Sequence, residues 1–450
     1  MTELLDLIKD PDLKDLMGKA KSETSFDDII KGLNDLNPWN APDEKETNRK
    51  DFVENLEKCF SKKEWEKEGA LEEEKALKDL LWELPGIADK DKDVFIPLLV
   101  DNILDNIKNV FPHNKINTDD VFKKKVLIAL MICLPFMDYQ QAFDGNLYDP
   151  RVIILGINPR FKADTFYDYG QKEEKKFMVD HMKEVYNTPI RDGNCPMLYK
   201  MNENDDENGE EIEPTDLHIA EDDYYYGKSG RFYTQKGINE KLKAQHRRLL
   251  LSKESKNPLA FLELFPYAST KETKWWDGED LNHAFRLLKL LEWKEAVYND
   301  LKVWATSNMN RISQISKPIR DKIELKSDEL LYSQQWILCV LFWILKRNSF
   351  LAEEDEIKKL TIISRKSLKA FLPKLKRLVD STGWQDVFLL TKHNPRSSSL
   401  SPNNLSLDIK INDPKCSSFL NDDNERNYKM GETLDNQAFR HLWGIEEQKS

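Results

Sequence analysis

Three short segments of this 450-residue chain place polar side chains directly after apolar, strand-like runs. In VIILGINPR the run ends in Gly156-Ile157-Asn158-Pro159-Arg160, where glycine permits a tight turn, proline fixes the loop and Asn158 is presented at the tip. In FLELFPYAS, Glu263 closes the run and Pro266-Tyr267 turns the chain. In LLTKHNPRSSSLSPNNL the run leads into His393, Asn394 and Pro395, then Arg396 and a serine-rich loop. Amide and imidazole groups both donate and accept hydrogen bonds, whereas an ionised carboxylate only accepts, so the three segments together offer complementary contacts to a polar ligand. Taken singly, each reads as well as an ordinary turn, a capping group or a solvated loop.

Such residues act together only if the elements before them bring their tips to one place. After Asp149-Pro150 the pattern changes to short β-branched runs alternating with helical periodicity, the signature of βαβ units and a parallel sheet. Strands are predicted at 152–155, 259–264, 360–363 and 387–390, with helices at about 171–186, 239–253, 279–304, 328–346 and 367–380. In an open α/β sheet, ligands bind at the carboxyl ends of the strands, which is where all three segments fall. Residues 1–145 read instead as helices, with FVENLEKCF, ALEEEKALKDLLWEL and VFIPLLVDNILDNIKNVF carrying apolar residues at three- and four-residue spacing.

The expected architecture is therefore α/β, a central four-stranded parallel sheet flanked by helices, preceded by an all-α domain. Residues 1–145 form an acidic helical accessory domain, and 146–411 the α/β domain with an acidic insertion at about 191–237. A tail follows from 412 to 450, with a short docking helix at QAFRHLWGI.

Composition narrows the function classes. The five cysteines (Cys59, Cys133, Cys195, Cys339, Cys416) show no C-x-x-C spacing, which argues for a reducing compartment and against a zinc site. The start, MTELLDLIKDPD, has no basic segment followed by an apolar one, so a cytoplasmic location is expected. The longest apolar runs, 126–137 and 336–345, are too short to cross a hydrocarbon layer of about 30 Å. They are expected to be core, with no membrane contact. The net charge of −12 opposes nucleic-acid binding at first sight, but the whole excess of acid lies in residues 1–150. Residues 151–450 balance even though Glu203–Asp223 holds eleven acidic residues and no basic one, so the rest of that portion is net basic. A DNA-binding face there is compatible with the charge distribution.

In this order and at strand ends, the three segments resemble the motif set of the uracil-DNA glycosylase superfamily. GINP is similar to the first motif of its mismatch-specific and single-strand-selective branches, and HNP with NPRSS is similar to the H-P-S or N-P-S motif that closes their site. The resemblance covers three short stretches and the strand order of roughly 250 residues, and leaves 1–145 unassigned. It implies a monofunctional DNA glycosylase without metal or cofactor. Asn158 would hold the attacking water, and His393 or Asn394, one residue of register apart, would donate to the base O2. Gly156, Ile157, Pro159, Arg160, Phe166, Glu263 and Tyr267 would line the base pocket. Arg396, Ser397, Ser398 and Ser399 would meet the DNA backbone, with Leu400 as the wedge filling the space of the flipped base.

The chain departs from the family at Glu263, where the single-strand-selective enzymes carry a base-reading Asn. A carboxylate repels the O4 of uracil but accepts from the N4 amino group of cytosine, so the departure points to a damaged or modified cytosine-type base, including those of foreign DNA. Arg160 also departs from the usual Gly or Tyr. The competing expectation is a catalytically weak glycosylase-fold module that recognises unusual DNA or a nucleotide and signals through a protein partner of the helical domain. A dinucleotide or P-loop enzyme is disfavoured because neither glycine-rich fingerprint occurs.

Overall fold

Among the described residues helical periodicity in the first third becomes six helices, and the run ending in Gly156 becomes the central strand of a sheet. A computed structural model of the chain describes residues 6–19, 26–39, 49–61, 69–84, 86–111, 119–137, 142–156, 188–190, 259–265, 267, 278–308, 330–351, 360–364, 375, 378, 387–392 and 405–407. The helices are α1 (Pro11–Lys19), α2 (Phe26–Asp35), α3 (Arg49–Ser61), α4 (Gly69–Trp82), α5 (Lys92–Val110) and α6 (Asp119–Cys133). Local chemistry sets their ends: Asp10 Oδ1 accepts from the amides of Asp12 (3.1 Å) and Leu13 (3.0 Å), and Pro11 takes the first helical position, where no donor is needed. In α5 the apolar residues Phe95, Ile96, Leu99, Val100, Ile103 and Ile107 make one buried stripe.

Strands β1 (Phe143–Gly145), β2 (Val152–Gly156), β3 (Leu259–Glu263), β4 (Leu360–Ser364), β5 (Val387–Lys392) and β6 (Leu405–Leu407) form one sheet in the order β1-β3-β2-β4-β5-β6. The pairings of β2 with β3, β2 with β4 and β4 with β5 are parallel, whereas β1 and β6 run antiparallel along the two edges. The parallel α/β character follows the sequence expectation. The edge strands do not, because three residues such as FDG or LSL are too short to show an alternation. The chain leaves β2 to one side for β3, then crosses to the other side for β4, so the order reverses at β2. That reversal is the topological switch point at which open α/β sheets bind ligands.

Among the described residues three helices follow in the second half: α7 (Gly278–Leu288), α8 (Glu295–Ser307) and α9 (Tyr332–Leu351). The pattern over 279–304 suggested one helix; the structure breaks it after a 3-10 turn, at Glu292, whose φ of 53° is left-handed. Such a residue costs about 1–2 kcal/mol. The break is bridged by Tyr298, whose hydroxyl donates to the Leu288 carbonyl (2.9 Å) and accepts from the Trp293 amide (3.1 Å). Both apolar runs too short for a membrane, 126–137 and 336–345, are buried throughout, and no described helix is long and apolar enough to cross one.

Packing does not respect the boundary expected at 145/146. One cluster joins Ile8, Leu13, Met17, Ile29, Leu33 and Trp39 to Ile153, Leu155, Ala260, Leu262, Ile362 and the buried length of α9. The other joins α3 to α6 with Phe265, Tyr267 and the helices α7 and α8. Six buried side chains from residues 8–39, at about 1.5–3 kcal/mol each, rival the whole net stability of a typical domain, about 5–15 kcal/mol. The first helices thus form part of the wall of the α/β core. Periodicity showed that they had an apolar face but not what would cover it.

Candidate functional site at the strand carboxyl ends

The parallel pairings carry the tips of β2, β3, β4 and β5 to one edge of the sheet. Gly156 and Glu263 are direct register partners there, and alternation puts both on the face opposite Leu155 and Leu262. Glu263 is 7% exposed. Its backbone is fixed by its amide, which donates to Ala142 (2.9 Å), and by the next amide, Leu264, which donates to the carbonyl of Gly156 (3.2 Å).

The Glu263 carboxylate occupies the space that a side chain at position 156 would need. A Cβ built on Gly156 would lie 1.9 Å from Oε2 and 2.3 Å from Cδ of Glu263. Gly156 is therefore required for close approach of the carboxylate. Its φ is not left-handed, unlike that of Gly145 (79°), which corrects the sequence reading of this glycine as a turn-former.

Asn158 is two residues beyond the end of β2, and His393 and Asn394 come immediately after Lys392, the last residue of β5. With strands about 4.8 Å apart, the tip of β5 stands roughly 10 Å from that of β2, a span that one nucleobase and its sugar can fill. Ile157, Asn158, Pro159, Arg160, Phe166, His393, Asn394, Arg396, Ser397, Ser398, Ser399 and Leu400 themselves lie outside the described residues, as do the insertion at 191–237 and the tail from 412. Ser364, which sequence reasoning did not single out, is buried at the end of β4 between these two tips. Its signal was the hydroxyl closing the run LTIIS.

Tyr267, expected to line a base pocket, is placed elsewhere. It is fully buried, and its hydroxyl donates to Asp91 Oδ2 while accepting from the Ala88 amide (3.3 Å). The Ser333 amide, in the first turn of α9, donates to Asp91 Oδ1 (3.3 Å). The role of Tyr267 is to tie the segment after β3 to the helical half. Asp91, 1% exposed, was not legible as special because DKDKD reads as a solvated charge run. Burial raises its pKa above the usual 3.8, partly offset by the hydrogen bonds from Ser333 and Tyr267, and burial likewise pushes the Tyr267 phenol well up.

This arrangement has a pH signature. The folded-state pKa of Asp91 exceeds the unfolded value, so its contribution to stability is full below 3.8 and is lost as pH rises through the folded-state pKa. Asp91→Asn removes that loss. Melting temperatures from pH 4 to 8 should show the variant gaining on the parent as pH rises, and a pH-independent difference would count against the assignment.

Among the described residues no group of three or more His, Cys, Asp or Glu side chains is arranged to hold a metal ion. No family model, curated protein or solved structure matches the chain.

Proposed function

We propose that the chain is a monofunctional DNA glycosylase of the uracil-DNA glycosylase superfamily, with a uracil-DNA glycosylase-like α/β core, that releases a damaged or modified cytosine-type base. The observation that carries this reading is the buried Glu263 carboxylate lodged against Gly156 at the switch point of the sheet. An ionised carboxylate only accepts hydrogen bonds, so at the edge where open α/β sheets bind ligands Glu263 favours a ligand group that donates them. An exocyclic amino group of a flipped base is such a donor.

The chemistry follows from the proposed roles. The bond between C1′ of the sugar and N1 of the base breaks with its electron pair leaving on the base. The charge gathers on O2, where His393 or Asn394 donates a hydrogen bond. The sugar becomes oxocarbenium-like, and a water held by Asn158 adds to C1′. The proton this water then loses is balanced, through solvent, by the proton the base anion takes up, leaving a C1′ hydroxyl and a neutral free base. An amide is a poor base, so Asn158 orients this water rather than deprotonating it, which suits so electrophilic a carbon. The Glu263 carboxylate discriminates against uracil by repelling O4.

The reading is tested by incubating the protein with single- and double-stranded DNA carrying a panel of modified pyrimidines, then cleaving abasic sites with alkali. Strand cleavage at a cytosine-type base is the expected outcome. Tight binding without cleavage on every member would favour a recognition module instead. Gly156→Ala supplies a sharper check, because the atoms a new Cβ meets belong to the flexible end of Glu263. The side chain can swing away at little cost to the fold. Loss of a charge-assisted hydrogen bond of about 1.5–3 kcal/mol should then slow base release roughly ten- to a hundredfold. The melting temperature should change little, and a fully active Gly156→Ala protein would remove Glu263 from the site.

A further inference from the structure

The segment that leaves the site after Glu263 is held at two points, one in α9 and one in the helical half. Gln334 in the first turn of α9 donates from Nε2 to the carbonyl of Leu264 (3.1 Å), and its Oε1 accepts from the Leu331 amide (3.1 Å). Three residues later, Tyr267 donates to Asp91, which ends a 3-10 turn between α4 and α5. Asp91 is itself seated by the Ser333 amide, and the Tyr267 ring packs against Phe95 of α5 and against Phe265 (centroids 4.5 and 5.6 Å). Leu264 and Tyr267 are thus clamped, one by α9 and the other by the helical half, and Glu263 is the residue that enters the clamp from the sheet.

We propose that Asp91 is a positioning residue for the site: by accepting the Tyr267 hydroxyl hydrogen it fixes the segment 264–267 and so holds the Glu263 carboxylate against Gly156. The inference rests on the reading of Glu263 as the group that contacts the base. It gives the helical half a part in the chemistry that no sequence motif marks. A carboxylate that must stay beside Gly156 cannot tolerate drift of its own backbone, because catalytic groups misplaced by about 1 Å can cost a hundredfold in rate. The charged groups around Asp91 reinforce the seat. Lys90 reaches Asp10 and Asp12 (3.4 and 3.8 Å) and lies over the ring of Tyr332, so the neighbouring turn is cross-braced to α1 and α9.

The test compares Tyr267→Phe and Asp91→Asn in the full chain with Tyr298→Phe, which removes a hydroxyl bridge between α7 and α8 that does not touch this segment. Amide hydrogen exchange is followed on peptides covering 259–267, beside the single-turnover rate of base release and DNA affinity. The expected result is exchange at 264–267 faster by at least about tenfold in the first two variants, and base release slower by about tenfold at unchanged affinity. Tyr298→Phe should lower the melting temperature without either effect. Parent-like exchange at 264–267 in Tyr267→Phe, or a rate loss shared equally by Tyr298→Phe, would overturn the proposal. If the parent releases no base from any DNA, the glycosylase reading fails by itself, and the exchange comparison still decides whether Asp91 anchors the segment.

Discussion

Asn158→Ala is expected to abolish base release, by a hundredfold or more on the scale of about 10²–10³ seen when one preorganised polar group is lost, while DNA affinity stays nearly unchanged. The asymmetry comes from the role. A water held for attack on the sugar contributes only once the glycosidic bond has begun to break, so its loss raises the barrier without weakening ground-state binding. Asn158 follows the end of β2 by two residues, and β2 is the strand at which the sheet order reverses. Single-turnover rates and equilibrium binding on the same DNA separate the two quantities. A loss of affinity equal to the loss of rate would show that Asn158 contacts the DNA or supports the loop rather than the water.

The second large effect is a change of base preference. Glu263→Asn replaces a group that only accepts hydrogen bonds with one that can also donate to O4. Release of a cytosine-type base should fall, and release of uracil should rise. At about 1.5–3 kcal/mol for the charge-assisted contact, the ratio of the two rates should move roughly ten- to a hundredfold. The competing account makes Glu263 a structural group whose purpose is to hold the backbone at the end of β3. On that account the substitution lowers the melting temperature and leaves the ratio alone. Measuring both rates beside the melting curve distinguishes the two.

Periodicity and strand-end chemistry were enough to read the helices of the first third, the parallel α/β character and the convergence of the strand tips on one edge of the sheet. They pointed to Glu263 because it closes a strand-like run at the end of the sheet where open α/β folds bind ligands. They could not show that Gly156 and Glu263 are register partners, since register is settled by how β2 and β3 pair, not by either segment alone. The tie between Asp91 and Tyr267 spans 176 residues and joins two unremarkable stretches, so no local pattern announces it. The packing of the first helices across residue 145 has the same origin. An amphipathic helix declares that it will be covered on one face, and here that cover for α1 and α2 comes from α9, some three hundred residues on. The break at Glu292 was hidden because the apolar spacing continues across it while a single left-handed residue redirects the chain.

The central claim is that Glu263 and the residues following β2 and β5 release a cytosine-type base from DNA. It is tested most directly by mass spectrometry of the small molecules freed when the protein acts on DNA carrying a panel of damaged and modified pyrimidines. The account predicts a free base bearing an exocyclic amino group, with an abasic site left in the strand and no release by Asn158→Ala. Free uracil in preference to every amino-bearing base, or no free base from any member of the panel, would contradict it.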